Sequence, residues 1–379
     1  MSEIRPLPDQ LPAAPSAQDP APQNPAMEGP ADVTIVGAGP IGIELAVALR
    51  GLGLKVVHLE AGNVGETIAW YAPQTRFFSS PERIAIAGVP LVTVDQSKAT
   101  REEYLAYLRS VVQQFRLPIH SGRRVVRIER GDPSGDSRSA FQVISEGRGG
   151  PQDRRVTHTA AVILAIGDMH APQTLGIPGE DLPHVSHYFQ EPHRYFQRRV
   201  LLVGGKNSAI EAAIRCYRAG ARVTLSYRGP ELDEKRIKYW LMPEIRALIR
   251  DGSIRFLPST TPLEIDARRV LLKGPEGQLL EEPAQDVLLM TGYVQDNSLF
   301  RQTGIQLEGE AQAPHHDEDT METNVPGLYV AGTAVAGTQL GGVQHFIETS
   351  HVHVQRIAAH LAGRRATGLA APVYELPES

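Results

Sequence analysis

The sequence predicts an α/β chain built as two nested, three-layer units, and three observations carry that prediction. An apolar strand pattern runs into a glycine-rich turn and then a helical pattern twice, at Gly37-Ala38-Gly39-Pro40-Ile41-Gly42 and at Gly204-Gly205-Lys206-Asn207-Ser208-Ala209. Each turn is followed by a second strand pattern that stops on a charged residue, Glu60 in the first case and Arg228 in the second. A late apolar run ending at Gly332, with a helical pattern after it to about residue 361, has no place in the second unit. It is expected to complete the first, so that the second unit is an insertion within it.

Along the chain, residues 1–30 hold eight prolines among Ala, Gln and Asp and read as a disordered tail. The first part of the first unit spans 31–175, with strand, turn, helix and strand over 32–60. Residues 70–80 are too aromatic and too polar for a plain connector. From near Thr100, the residues Tyr104, Leu105, Leu108, Val111, Val112 and Phe115 share one face at helical spacing and predict an amphipathic helix. Segments 124–130, 140–146 and 155–159 read as short strands, and the apolar run 160–167 as a buried strand of a parallel sheet. A Pro- and His-rich linker over 168–197 leads into the second unit, 176–300. That unit is expected to repeat the plan: helix 207–219, strand 222–227, meander strands around 254–257 and 269–272, and a buried run 287–293. Residues 301–365 return to the first unit, and 366–379 form a tail.

A strand that turns sharply into a helix aims backbone N–H groups and the positive end of the helix dipole at a pyrophosphate, and side chains in the turn would block the approach. This explains Gly37, Gly39 and Gly42 in the first turn, where Pro40 joins the expected FAD set, and Gly204 in the second. An acid at the end of the following strand accepts from ribose hydroxyls, whereas an arginine there pairs with a 2′-phosphate. Glu60, with Ala61 beside it, therefore points to FAD in the first unit, and Arg228 to NADPH in the second. Lys206 stands where a glycine is usual and can donate to a phosphate; Asn207, Ser208, Ala209 and Lys238 complete the expected NADPH set.

A net charge of −5, with no basic block and no aromatic-interleaved basic stripe, argues against nucleic acid. No apolar run reaches 18 residues, which argues against a membrane span and, with no signal-peptide pattern, for a cytoplasmic protein. Cys216 is the single cysteine, so neither an internal disulfide nor a multi-thiolate metal site is possible; its helical, non-turn position reads as structural rather than redox. His315, His316, Asp317, Glu318 and Asp319 are consecutive rather than spaced on one face and read as a solvated loop, so no metal is expected.

With two nested dinucleotide folds and strand ends Leu164-Ala165-Ile166-Gly167, Met290-Thr291-Gly292-Tyr293 and Leu328-Tyr329-Val330-Ala331-Gly332, the chain resembles the thioredoxin-reductase-like flavoproteins. Within them it is most similar to the bacillithiol disulfide reductases, over about residues 31–362. Phe77-Phe78-Ser79-Ser80 looks like that family's phenylalanine-serine loop, His187-Tyr188-Phe189 like its linker, and the 204–209 turn like its lysine-bearing nicotinamide turn. The resemblance implies FAD and NADPH as cofactors, reduction of a low-molecular-weight disulfide, and a homodimer. It places Gly167, Gly332, Thr333, Gln344 and His345 around the flavin, the last two at the start of the final helix, with His345 a candidate for direct action on the flavin.

Two departures accompany it. Family members often carry a redox cysteine where this chain has Ile41, and the C-x-x-C of thioredoxin reductases is missing; the late acid that holds the ribityl chain in many relatives is Thr333 here, as the close family also tends to lack it. Two other enzyme readings stand beside the disulfide reductase. One is a flavin monooxygenase, loosely resembled through the 181–188 linker. The other is an electron-transfer protein like the ferredoxin/flavodoxin-NADP reductases, whose acceptor is a redox protein; a flavin-binding regulator without turnover is a further possibility.

Overall fold

The computed structural model describes residues 29–131, 139–340 and 345–363. The expected tails, except for Gly29 and Pro30, and the flavin candidate Gln344 lie outside the described residues. The principal elements, in chain order, are β1 (Ala31–Val36), α1 (Pro40–Gly51), β2 (Val56–Leu59), α2 (Arg101–Gln114), β3 (Ile119–His120), β4 (Arg124–Arg130), β5 (Phe141–Gly147) and β6 (Gly150–Leu164). They continue with β7 (Val185–Ser186), β8 (Arg199–Val203), α3 (Asn207–Arg218), β9 (Arg222–Ser226), β10 (Ile254–Leu257), β11 (Thr261–Ile265), β12 (Arg269–Lys273), β13 (Leu279–Pro283), β14 (Asp286–Leu289), β15 (Leu328–Val330) and α4 (Ile347–Leu361).

The chain divides into two compact units. The first takes in the described residues up to Ala69, those of Ser79–His170, and those from Gln295 onward; the second comprises Trp70–Phe78 and Ala171–Val294. Nesting of one unit inside the other is the architecture the two glycine turns predict.

In the first unit the sheet order is β3-β2-β1-β6-β5-β4, with β15 also paired to β6. β1 is parallel to β2 and β6, and β15 is parallel to β6. Its core strands are apolar because both faces are covered: Val33, Ile35, Val162, Ile163, Leu164 and Val330 are all buried. Helix α2 starts where Thr100 accepts from the Glu103 N–H at 3.2 Å and Glu103 accepts from the Thr100 N–H at 2.7 Å, a reciprocal cap. Tyr104, Leu108 and Val111 are buried as the helical spacing requires, and Tyr107 joins them. The expected strands 155–159 and 160–167 are one strand, β6. No turn residue separates them, so the chain runs on from antiparallel pairing with β5 to parallel pairing with β1 through Thr159, which faces both Phe141 and Ala31.

The second unit is a parallel sheet in the order β10-β9-β8-β14-β7 beside an antiparallel ribbon of β11, β12 and β13. Segment 254–257, expected in a meander, instead joins the parallel sheet, with Ile254 opposite Val223. Its four residues bury Ile254 against the core, and a strand so short carries no periodicity that separates the two pairings. The nine residues Trp70–Phe78 pack as a strap on this unit. Arg215 donates to the Pro73 carbonyl at 2.7 Å, Lys238 to that of Arg76 at 3.0 Å, and Phe78 stacks on Trp240 with ring centroids 5.9 Å apart. Among the described residues, no helix is long and apolar enough to cross a membrane.

Candidate functional site

The two glycine turns are built alike. Gly37 has φ +104° and Gly204 φ +144°, and a Cβ on either would lie 2.4 Å from the Ala165 carbonyl oxygen or 2.6 Å from that of Met290, the residue just past the neighbouring parallel strand. Only glycine permits both that backbone and that approach. Gly37 N–H donates to Leu59 O at 2.8 Å and Gly204 N–H to Ser226 O at 2.9 Å, so each turn is pinned to the strand end that carries the charged residue.

In the first unit, α1 opens at Gly39 and Pro40 with no side-chain cap and no acidic residue in its first turn. Nothing lies within 4 Å of where a Cβ on Gly39 would stand. An uncapped helix start beside open space at Gly39 fits a pyrophosphate. Glu60, buried at the end of β2, accepts from the Ala38 N–H at 2.6 Å and the Gly62 N–H at 2.7 Å, and Ala61 beside it is exposed. Burial raises the Glu60 pKa, and the two N–H donors oppose that rise. Behind the turn, His58 Nε2 lies 2.9 Å from the Gly37 carbonyl oxygen; burial lowers its pKa to about 4.

β1, β6 and β15 end level, since Val36 and Val330 both pair with Leu164. At that carboxyl edge, where open α/β sheets hold their ligands, stand Gly167, Gly332 and Thr333. Ile41 is buried there, with its Cβ 3.4 Å from where a Cβ on Gly332 would lie. Gly332 N–H donates to His353 Nδ1 at 3.1 Å, and burial lowers the His353 pKa to about 3. Gln295 donates through Nε2 to the carbonyl oxygens of Gly167 and Ala334, at 2.9 and 3.0 Å. His345 lies two residues before α4 rather than in its first turn, and its N–H donates to Gln339 Oε1 at 3.2 Å. Gln339 in turn donates to Asp168 at 2.7 Å. Burial lowers the His345 pKa; His316 adds to that shift and Asp168 opposes it.

In the second unit, α3 opens at Lys206 and Asn207, again with no side-chain cap. Partial burial lowers the Lys206 pKa, and Arg236 and Arg228 lower it further, so three cations converge at this turn. Asn207 Oδ1 accepts from the Lys238 N–H at 2.6 Å, Ala209 is buried beneath the turn and Ser208 is exposed. The Lys238 ammonium is drawn toward Glu211 at 3.5 Å and the Arg76 carbonyl at 3.0 Å, so the strap competes for it with any bound phosphate. Cys216 is fully buried on α3, and burial pushes its thiol up to about 12.

The structure thus gathers the described first-unit candidates at one sheet edge and Lys206 with Arg228 at another. Sequence reasoning missed His58, His353 and Gln295. Only His58 leaves a signal, as an imidazole in an otherwise apolar strand pattern.

The model of the pyridine nucleotide-disulphide oxidoreductase family matches residues 34–332. The bacilliredoxin reductase Bdr of Bacillus subtilis (strain 168) is 34% identical over 331 residues, 87% of this chain and 97% of that protein. Among solved structures, the bacillithiol disulfide reductase Bdr (YpdA) from Bacillus cereus superposes with a TM-score of 0.81 at 34% identity, covering 88% of this chain and 99% of that one. Its counterpart from Staphylococcus aureus gives 0.80 at 31%, covering 88% and 98%.

Proposed function

The chain belongs to the pyridine nucleotide-disulphide oxidoreductase family, a flavin- and nicotinamide-dependent oxidoreductase, and from that premise we propose that it carries electrons from NADPH through FAD to a low-molecular-weight disulfide of the bacillithiol type. The observation that carries the cofactor assignment is the pair of uncapped helix starts, one with Glu60 at the adjoining strand end and the other with Lys206, Arg228 and Arg236. Gly37, Gly39, Pro40 and Gly42 would cradle the FAD pyrophosphate, Glu60 its ribose, and Gly167, Gly332, Thr333 and His345 would line the flavin. Lys206, Arg228 and Arg236 would neutralise the phosphates of NADPH, with Asn207, Ser208 and Ala209 shaping the turn.

Bound FAD supplies a two-electron relay, and the balance is NADPH, a proton and one disulfide giving NADP⁺ and two thiols. The chain holds no accessible thiol: residue 41 is isoleucine, and the single cysteine, Cys216, is buried with its pKa raised to about 12. The substrate disulfide is therefore reduced without a mixed disulfide on this protein. The same lack of a thiol favours one second reading, electron delivery to a redox protein. A homodimer is the assembly the resemblance implies, and sedimentation tests it.

The experiment is anaerobic reduction of the purified flavoprotein by NADPH and by NADH, followed by mixing with oxidised bacillithiol, ferredoxin or flavodoxin. Faster reduction by NADPH and stoichiometric thiol release support the reading. Faster reduction by NADH overturns the role of Arg228, and reoxidation by the redox proteins alone overturns the disulfide.

A further inference from the structure

Gln295 has no part in the assignments above, and its bonding is unusual. It is 6% exposed, and its amide nitrogen donates to the Gly167 and Ala334 carbonyls. Its own N–H donates to Thr338 Oγ1 at 3.1 Å. Both carbonyl neighbours can only accept, so the amide orientation is fixed by chemistry: nitrogen toward them, oxygen away. That oxygen, Oε1, is buried and has no hydrogen-bond partner among the described residues. A buried acceptor left unsatisfied is costly, and native structures seldom keep one without a donor from a ligand or water.

Its location says which donor. Gly167 closes the β6 end and Ala334 follows Thr333, so the amide braces the two sides of the sheet edge assigned to the flavin. Open space is retained there, because a Cβ on Gly167 would meet only Thr333 Oγ1, at 3.7 Å. We infer that Gln295 Oε1 is an acceptor for an N–H or O–H donor of the bound flavin, either its imide N–H or its ribityl 2′-hydroxyl, while Nε2 holds the Gly167 and Ala334 carbonyls in place.

This rests on the flavin reading above, and the test separates the two. Apoprotein of the wild type and of Gln295→Met is titrated with FAD, with N3-methyl FAD, which lacks the imide N–H, and with 2′-deoxyribityl FAD, which lacks one hydroxyl. Flavin fluorescence gives each Kd, and thermal unfolding of apoprotein and holoprotein gives the stability of each. The expected result is that Gln295→Met binds FAD about tenfold more weakly, the loss of one hydrogen bond, and that one analogue costs the wild type about tenfold but the variant nothing further. Holoprotein should lose more thermal stability than apoprotein. If Gln295→Met fails to fold, Gln295→Lys keeps a donor for both carbonyls and removes only the acceptor, with the same analogue pattern expected. Losses that multiply in full for both analogues, or equal destabilisation of apoprotein and holoprotein, overturn the inference and leave Gln295 as a brace. A wild-type apoprotein that binds no flavin overturns the cofactor reading and this inference with it.

Discussion

The imidazole of His58 donates from Nε2 to the carbonyl oxygen of Gly37 across 2.9 Å. A carbonyl only accepts, so Nε2 carries a proton; burial lowers the pKa to about 4, so near neutral pH the ring is uncharged, with Nδ1 buried and unpaired among the described residues. The first glycine of the first turn is thus held from beneath by a side chain on the strand that leads to Glu60.

Acid destabilisation follows from this neutrality. His58 and His353 titrate in the fold at about 4 and about 3, below the 6.5 of an unfolded imidazole, because burial disfavours their charged forms. The stability they contribute is present above pH 6.5 and is lost as pH falls through the folded values. For His58 alone the loss is on the order of 3 kcal/mol. Denaturant midpoints measured from pH 7 to pH 4 should fall steeply in the wild type and less so in His58→Phe; equal slopes would refute the assignment.

Gly42→Ala should abolish flavin binding. A Cβ there would lie 2.0 Å from the Gly37 carbonyl oxygen and 3.4 Å from His58 Nε2, so the turn must open. A cost of at least ~2 kcal/mol is expected for this overpacking. The absorption ratio of bound flavin to protein reports it, and full flavin content in the variant would contradict the geometry.

Replacing Arg228 by Leu should raise KM for NADPH ten- to a hundredfold, the worth of about 1.5–3 kcal/mol for a hydrogen bond to a charged group, and leave KM for NADH within about twofold. Steady-state kinetics with both donors decide it. Equal effects on the two would mean that Arg228 contacts no 2′-phosphate.

Cys216→Ala should retain NADPH-dependent disulfide turnover. The thiol is buried with its pKa raised to about 12, so it supplies no thiolate, and only packing of about 1 kcal/mol is lost. Thiol release measured before and after alkylation of the wild type gives a parallel check; inactivation in either case would restore a sulfur relay.

The glycine turns and their charged strand ends are legible in the sequence because each depends on residues adjacent along the chain, such as Gly37 to Gly42 or Tyr227-Arg228. Helix α2 is legible for the same reason, through Thr100, Glu103 and the spacing of Tyr104, Leu108 and Val111. Gln295 is not, because its role exists only once Gly167 and Ala334, 128 and 39 positions away, are brought beside it. Lys238 looks like a phosphate ligand in the basic run around it, yet Glu211 and the Arg76 carbonyl compete for its ammonium. His345 is expected to open the last helix, whereas the helix begins at Ile347, with Phe346 at its cap.

The strap of residues Trp70–Phe78 bears on how the second unit is made. Its sheet and helices lie within Ala171–Val294, but its covering surface is translated about a hundred residues earlier. Cut out as a contiguous fragment, that stretch would lose the carbonyls of Pro73 and Arg76 that Arg215 and Lys238 hold, and the Phe78 ring that lies on Trp240. The insertion is therefore no freely transplantable cassette: a chimera that swaps it between relatives must carry two separate pieces of gene, and during synthesis the early piece must await its seat.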